Sequence, residues 1–218
     1  MNLIIASISL DLISNDISCG SHISYFIDII QSLVYDRNVN IICLQLIPCE
    51  SLIVKKLANV LEWSYVSSPL NTDYYSATLY NPNLKLIENS AYNYNSWGMI
   101  SCLSSNNKRV YIFNVGIKLP NQLMLDDINN MLVSSKYTFL AIGDFKKEQD
   151  INIWYNVQLK KWYMNVDATR SLMCCVPKSA IGGCNPAILI NDKDEANCLS
   201  EFYYINNIIP VLICNYKV

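Results

Sequence analysis

Charge is scarce in this sequence: 16% of 218 residues are charged, against about a quarter in an ordinary soluble protein. The formal net charge is -2, which excludes a global electrostatic pull toward nucleic acid or an anionic membrane and leaves only local contacts for either. Histidine is nearly missing. With His22 the single imidazole, a zinc site built on histidines is excluded, and the nine cysteines show no C-x-x-C spacing that would replace it. An odd cysteine count without a secretory leader points to reduced thiols and a cytoplasmic setting. Glycine (6) and proline (7) are too few for a collagen-like or disordered chain, and with no G-x-G-x-x-G after the first apolar run a parallel Rossmann-type fold fits less well. Long hydrophobic runs are also wanting. The opening MNLIIASISLDLIS is too short to span a bilayer and carries Asp11, so it reads as a first strand instead of a signal peptide or membrane span.

What is present is a large apolar fraction, 52%, enough for a substantial core, and the length suits one domain over 1–218. Asn, Ile and Tyr are abundant in the way AT-rich coding sequence produces, as in a parasite or a large DNA virus. The 15 tyrosines suit a protein-binding surface, because Tyr offers wide contact area with a polar tip.

Hydrophobic spacing predicts the elements. In SHISYFIDIIQSLV, Ile23, Phe26, Ile27, Ile30, Leu33 and Val34 recur at three and four, giving a helix with Ser21 as its cap. VNIICLQLI reads as a strand covered on both faces, and SLIVKKLANVLEW as a helix turning Ile53, Leu57, Val60 and Leu61 inward. SYVSSP, YYSATLYNP, LKLIEN, WGMISCLSS and RVYIFNVGIKL are short strand-like runs separated by turn residues. LMLDDINNMLVSS reads as a helix, YTFLAIGDF as a buried strand, INIWYNVQLKKW as a helix and AILIND as a strand. EFYYINNIIPVLICNYKV supplies one or two closing strands, with Pro210 between them or at an edge. Strand runs joined by hairpins and interleaved with helices give an α/β (α+β) layered sandwich of two packed mixed sheets flanked by helices, four layers in all.

LIIASIS, NVNIICLQ, SATLYNP, VYIFNVGI, FLAIGDF, VDATRSL and LSEFYYIN, in that order along most of the chain, resemble the endonuclease/exonuclease/phosphatase family, which includes DNase I, apurinic endonucleases and inositol-phosphate 5-phosphatases. The resemblance implies a DNase I-like fold and, in an active member, acidic and Asn ligands to a divalent metal with an Asp-His pair moving protons around an attacking water. Matched one by one, the positions are altered. Ile8 stands where the first strand brings a metal-site Asn, and Leu46 follows CLQ where Glu is the principal ligand. Gly116 follows Asn114 and Val115 where a His or Tyr is expected. Asp144 of GDF is kept, but Lys146 replaces the Asn after it. The closing S-D-H signature falls on Ser200, Glu201 and Phe202, without its His. Leu cannot ligate a hard cation, and Phe cannot take a proton.

The resemblance therefore implies a vestigial site of Asp144, Asn114 and Glu201, with Ile8, Leu46, Gly116, Lys146 and Phe202 substituted. No catalytic residue, cofactor or metal is expected, and the leading expectation is an inactive member retained as a binding or assembly factor with a protein partner. Two readings stand beside it. One is a divergent Mg2+-dependent phosphodiesterase centred on Asp144, Glu50 and Glu201. The other is a non-cutting nucleic-acid-binding module using the basic pairs Lys55-Lys56, Lys108-Arg109, Lys146-Lys147 and Lys160-Lys161 among the tyrosines. Asp144 also serves as an ordinary turn cap, and Glu50 as a helix N-terminal acid. Lys146 either lies in the emptied cavity beside Asp144 or is a solvated loop lysine. Asp11, Asp126 and Asp127 have no constellation around them, the last two suiting a first helical turn.

Overall fold

The computed structural model describes residues 2–10, 20–68, 73–92, 98–117, 138–145, 186–190, 198–205 and 209–217. The alternating strand β1 (Asn2–Ser9) turns Leu3 and Ile5 to one side and Ala6 and Ile8 to the other, each side entering a different core. Helix α1 (Gly20–Arg37) follows and buries Ile23, Phe26, Ile27, Ile30, Leu33 and Val34, the stripe the spacing predicts. It begins at Gly20, so Ser21 lies inside the first turn and is not the cap. Strand β2 (Ile41–Pro48) is buried over seven of its eight residues, in keeping with its near-continuous apolar run.

Helix α2 (Ile53–Leu61) buries Ile53, Val54, Leu57, Ala58 and Leu61. Val60, expected to face inward, is 44% exposed, because residues 53, 57 and 61 with 54 and 58 already complete a stripe that leaves position 60 outside. Glu62 then ends the helix in the left-handed conformation.

The five short runs of the middle third are all strands: β3 (Ser64–Ser67), β4 (Tyr74–Tyr80), β5 (Lys85–Tyr92), β6 (Gly98–Ser105) and β7 (Lys108–Ile117). They divide between two sheets, the chain crossing at Asn81–Leu84, where Leu84 N donates to Asn81 O. Strands β8 (Thr138–Phe145), β9 (Pro186–Ile190), β10 (Cys198–Ile205) and β11 (Ile209–Lys217) complete the set. Pro210 sits near the start of β11, paired with Tyr204 of the edge strand β10. The helices expected in LMLDDINNMLVSS and INIWYNVQLKKW lie outside the described residues.

One sheet has six strands in the order β10-β11-β1-β2-β4-β3, the other five in the order β5-β6-β7-β8-β9. Both are mixed, since β1 pairs β2 and β7 pairs β8 in parallel while the remaining ladders are antiparallel. Helices α1 and α2 cover the outer face of the first sheet through a core that includes Ala6, Ile8, Leu44, Leu57 and Leu79. Between the sheets a second core joins Leu3, Ile5, Ile41 and Leu212 to Val110, Ile112, Leu140 and Ile142. No described helix is long and apolar enough to cross a membrane.

Candidate functional site

The parallel pairs β1/β2 and β7/β8 run to the same end of the sandwich, and there the inter-sheet core changes from carbon to amide. Gln45 on β2 and Asn114 on β7 are 1% and 0% exposed, so every polar atom they carry must find a partner inside the protein. Gln45 Nε2 donates to Asn114 Oδ1 (2.7 Å), Ser7 Oγ (3.0 Å) and the Cys43 carbonyl (3.0 Å), sharing two hydrogens among three acceptors. Asn114 Nδ2 donates to the Ala77 carbonyl (2.8 Å), the Leu44 carbonyl (3.2 Å) and Thr78 Oγ1 (3.3 Å). The first sheet thus reaches the second through β2 and β4, with Asn114 as the common partner, while Ser7 of β1 steadies Gln45 from within the first sheet.

Leu46 comes next on β2. Between Leu44↔Ala77 and Ile47↔Tyr75 the register advances three residues on β2 for two on β4, which is one extra residue and hence a bulge. Leu46 occupies it with φ 53°, a conformation that costs a side-chain-bearing residue about 1–2 kcal/mol, yet it is 1% exposed. Gly116 of β7 lies against it: a Cβ at Gly116 would stand 2.9 Å from Gln45 Cβ, 3.2 Å from Leu46 N and 3.3 Å from Leu46 Cγ. A side chain at position 116 therefore requires Gln45 and Leu46 to give way.

The other expected residues are placed as follows. Asp144 stands in register beside Gly116 across β7/β8, which brings it to this end of the second sheet. Ile8 packs with the helix-side core, because strand parity turns it away from the other sheet; Ser7 and Ser9 are the β1 residues at this end of the cleft. Glu201 and Phe202 lie within β10, opposite Ile213 and Leu212. Two strands, β11 and β1, separate β10 from β2, so these residues belong to a strand on the order of 14 Å from Gln45 and are not gathered with Asn114. Glu50 is exposed in the turn after β2, and His22 is in the first turn of α1, in the helix layer. Lys146 is outside the described residues.

Cys43 also faces the inter-sheet core. Burial pushes its thiol up from the ordinary value of 9.0 to about 12, with Thr78 opposing by a hydrogen bond. A protonated thiol is no nucleophile. The folded chain holds this proton more tightly than the unfolded one, so the associated stability is present below pH 9.0 and is lost as pH rises toward about 12. Alkylation by iodoacetamide at about pH 8, read residue by residue by mass spectrometry, is expected to spare Cys43 until urea unfolds the chain.

No family model and no curated protein matches the sequence. Solved structures do match. Zebrafish TDP2 complexed with a single-strand DNA product is 11% identical over 100% of this chain and 99% of its own, with a TM-score of 0.62. An endonuclease/exonuclease/phosphatase from Bacteroides vulgatus is 10% identical over 100% and 99%, TM-score 0.70. The human Nocturnin catalytic domain with bound sulfate is 10% identical over 99% and 93%, TM-score 0.65. The chain has the endonuclease/exonuclease/phosphatase fold.

In the endonuclease/exonuclease/phosphatase fold the end of the cleft holding Gln45 and Asn114 is where the resemblance implies a divalent metal. The described residues do not fit one. A hard cation asks for about six oxygen ligands, several of them anionic or carbonyl. Asn114 Oδ1 already accepts from Gln45, Gln45 Oε1 faces Ser7 Oγ at 3.3 Å, and the next residue on β2 offers carbon. Ser9 Oγ is buried without a hydrogen-bond partner among the described residues, and one neutral hydroxyl is a poor substitute for a carboxylate. Sequence reasoning passed over Gln45, Ser7 and Thr78. The available signal was a single polar residue inside each of the apolar runs IICLQLI and YIFNVG.

Proposed function

We propose that this protein uses an endonuclease/exonuclease/phosphatase fold for binding or assembly with a protein partner and does not hydrolyse phosphodiesters. The observation that carries this reading is Leu46, buried at the end of the second strand in the place where the resemblance implies the principal metal ligand. Hydrolysis needs charge offset on phosphorus and a positioned base, and loss of one such donor typically costs about 100- to 1000-fold in rate. Exposed Tyr25 and Tyr35 on α1 and Tyr65 on the edge strand β3 supply the aromatic surface a protein partner uses.

A nucleic-acid-binding reading draws support from the DNA product held by zebrafish TDP2. Against it, the exposed Lys108 and Arg109 open β7 at the end remote from Gly116, and Lys55 and Lys56 are on α2, so the described cations are not gathered around the cleft.

Purified protein incubated with magnesium or manganese on plasmid, abasic DNA and inositol phosphates is expected to show no turnover. Metal-dependent turnover that Asp144→Ala abolishes would overturn the proposal in favour of a divergent phosphodiesterase. Binding to single-stranded DNA that falls steeply with salt and weakens when Lys146 and Lys147 are changed would favour the nucleic-acid reading.

A further inference from the structure

We infer that Leu46 and Gly116 form an interlocked pair that closes this end of the cleft to a divalent cation, with Gly116 being the residue that admits Leu46. The inference deepens the binding-protein reading and rests on it for the choice of site, but it concerns what the site can hold and not what the protein turns over.

Three observations combine. The bulge on β2 holds Leu46 with φ 53° while only 1% of it is exposed, so a strained backbone position is maintained with its side chain packed inside the protein. Any Cβ at 116 would meet Gln45 Cβ at 2.9 Å and Leu46 Cγ at 3.3 Å, so the volume a ligand or imidazole would need at that position is already filled from the opposite sheet. Beside the pair, the Gln45 and Asn114 amides are held by Ser7, Thr78 and main-chain carbonyls and by each other, which leaves a cation to displace formed hydrogen bonds for neutral ligands. Among the described carboxylates Asp144 is in register beside Gly116, while Glu50 and Asp73 are exposed in the turn after β2 and just before β4. Neutral amides beside one such carboxylate hold magnesium weakly, since the ion gives up its water reluctantly.

The pairing also makes a directional claim about sequence change. Enlarging 116 in the presence of Leu46 meets Gln45 Cβ, Leu46 N and Leu46 Cγ, whereas trimming Leu46 to Ala removes the Cγ contact and leaves the other two. The two positions are therefore coupled.

Thermal unfolding of the full chain in excess magnesium or manganese, compared with EDTA, tests the closure. No shift in midpoint is expected. A site occupied at about 100 times its dissociation constant would raise the midpoint by roughly 5–10 °C. A saturable rise of that kind, lost in Asp144→Asn, would overturn the inference. Independently, Gly116→Ala is expected to lower the midpoint in the wild-type background and to lower it less in Leu46→Ala. Equal losses in both backgrounds would show that the pair is not interlocked. If Leu46→Ala does not fold, Leu46→Gly, which has no Cγ and suits φ 53°, provides the second background. The two readings fail separately: turnover with no metal-induced shift sinks the functional proposal alone, and a metal-induced shift with no turnover sinks this one alone.

Discussion

Gly143→Ala is expected to disrupt the second sheet where β8 pairs with its central strand β7. Gly143 has φ 152°, and a Cβ built there would lie 1.8 Å from the Val115 carbonyl oxygen and 2.8 Å from its carbonyl carbon. Both atoms are backbone of the neighbouring strand, in register across the parallel β7/β8 ladder, so neither can swing aside as a side chain would. The strands must separate or the β8 backbone must change conformation, and either outcome breaks ladder bonds next to Asp144. A loss on the order of 4 kcal/mol or more follows, a large share of the roughly 5–15 kcal/mol that holds a domain folded. Urea unfolding followed by circular dichroism provides the measurement. Ala141→Gly, two residues earlier on the same buried strand, is the control, with a cost near 1 kcal/mol from backbone entropy. Equal costs for the two variants would mean that Gly143 is not sterically required.

Asn114→Leu is the second large effect. The shapes are similar, but the Leu44 and Ala77 carbonyls lose the Asn114 donor, while Gln45 Nε2 keeps Ser7 Oγ and the Cys43 carbonyl as acceptors, all in a region sealed from water. A buried carbonyl deprived of a donor costs about 1–3 kcal/mol, and because the two share one network their sum is not simply additive, so a total of roughly 2–4 kcal/mol is expected as a lowered urea midpoint with unchanged slope. Gln45→Leu is expected to cost less, since it leaves the Asn114 bonds to Leu44 and Ala77 in place. The double variant should cost less than the two singles summed, because each removes a partner the other has already lost. Strict additivity would indicate that the two amides stabilise the sheets separately.

The strands were readable because each core-facing run has its own period: β1 alternates, β2 is apolar on both faces, and the middle third is broken by Asn, Pro and Ser at every turn. The assignment to a fold was readable from the order of short segments, none decisive alone. The site was less so, for reasons of geometry. Counting along LIIASIS puts Ile8 at a strand end but does not say which face it takes, and the structure gives it to the helices. The bulge that carries Leu46 shifts parity by one residue, a displacement invisible to any periodic pattern. Val60 is left outside for a related reason: a nine-residue helix needs only one stripe, and several apolar residues compete for it. Ser200, Glu201 and Phe202 fall at the place of the S-D-H signature in sequence order while their strand pairs at the sheet edge, because strand order, which decides proximity, is set by pairing partners far away in sequence.

Strand β1 stands inside the first sheet, flanked by β2 in parallel and by β11 in antiparallel, with Asn2 opposite Lys217. The strand that completes its hydrogen bonding on one side, β11, lies far along the sequence and emerges long after β1 during synthesis. Until then β1 offers an open apolar edge, and the ladder that finally covers it joins the two most distant stretches of the described chain, the kind of contact that slows folding and favours aggregation on the way. The protein is therefore expected to depend on chaperone protection while nascent, whatever stability it has once β11 is in place.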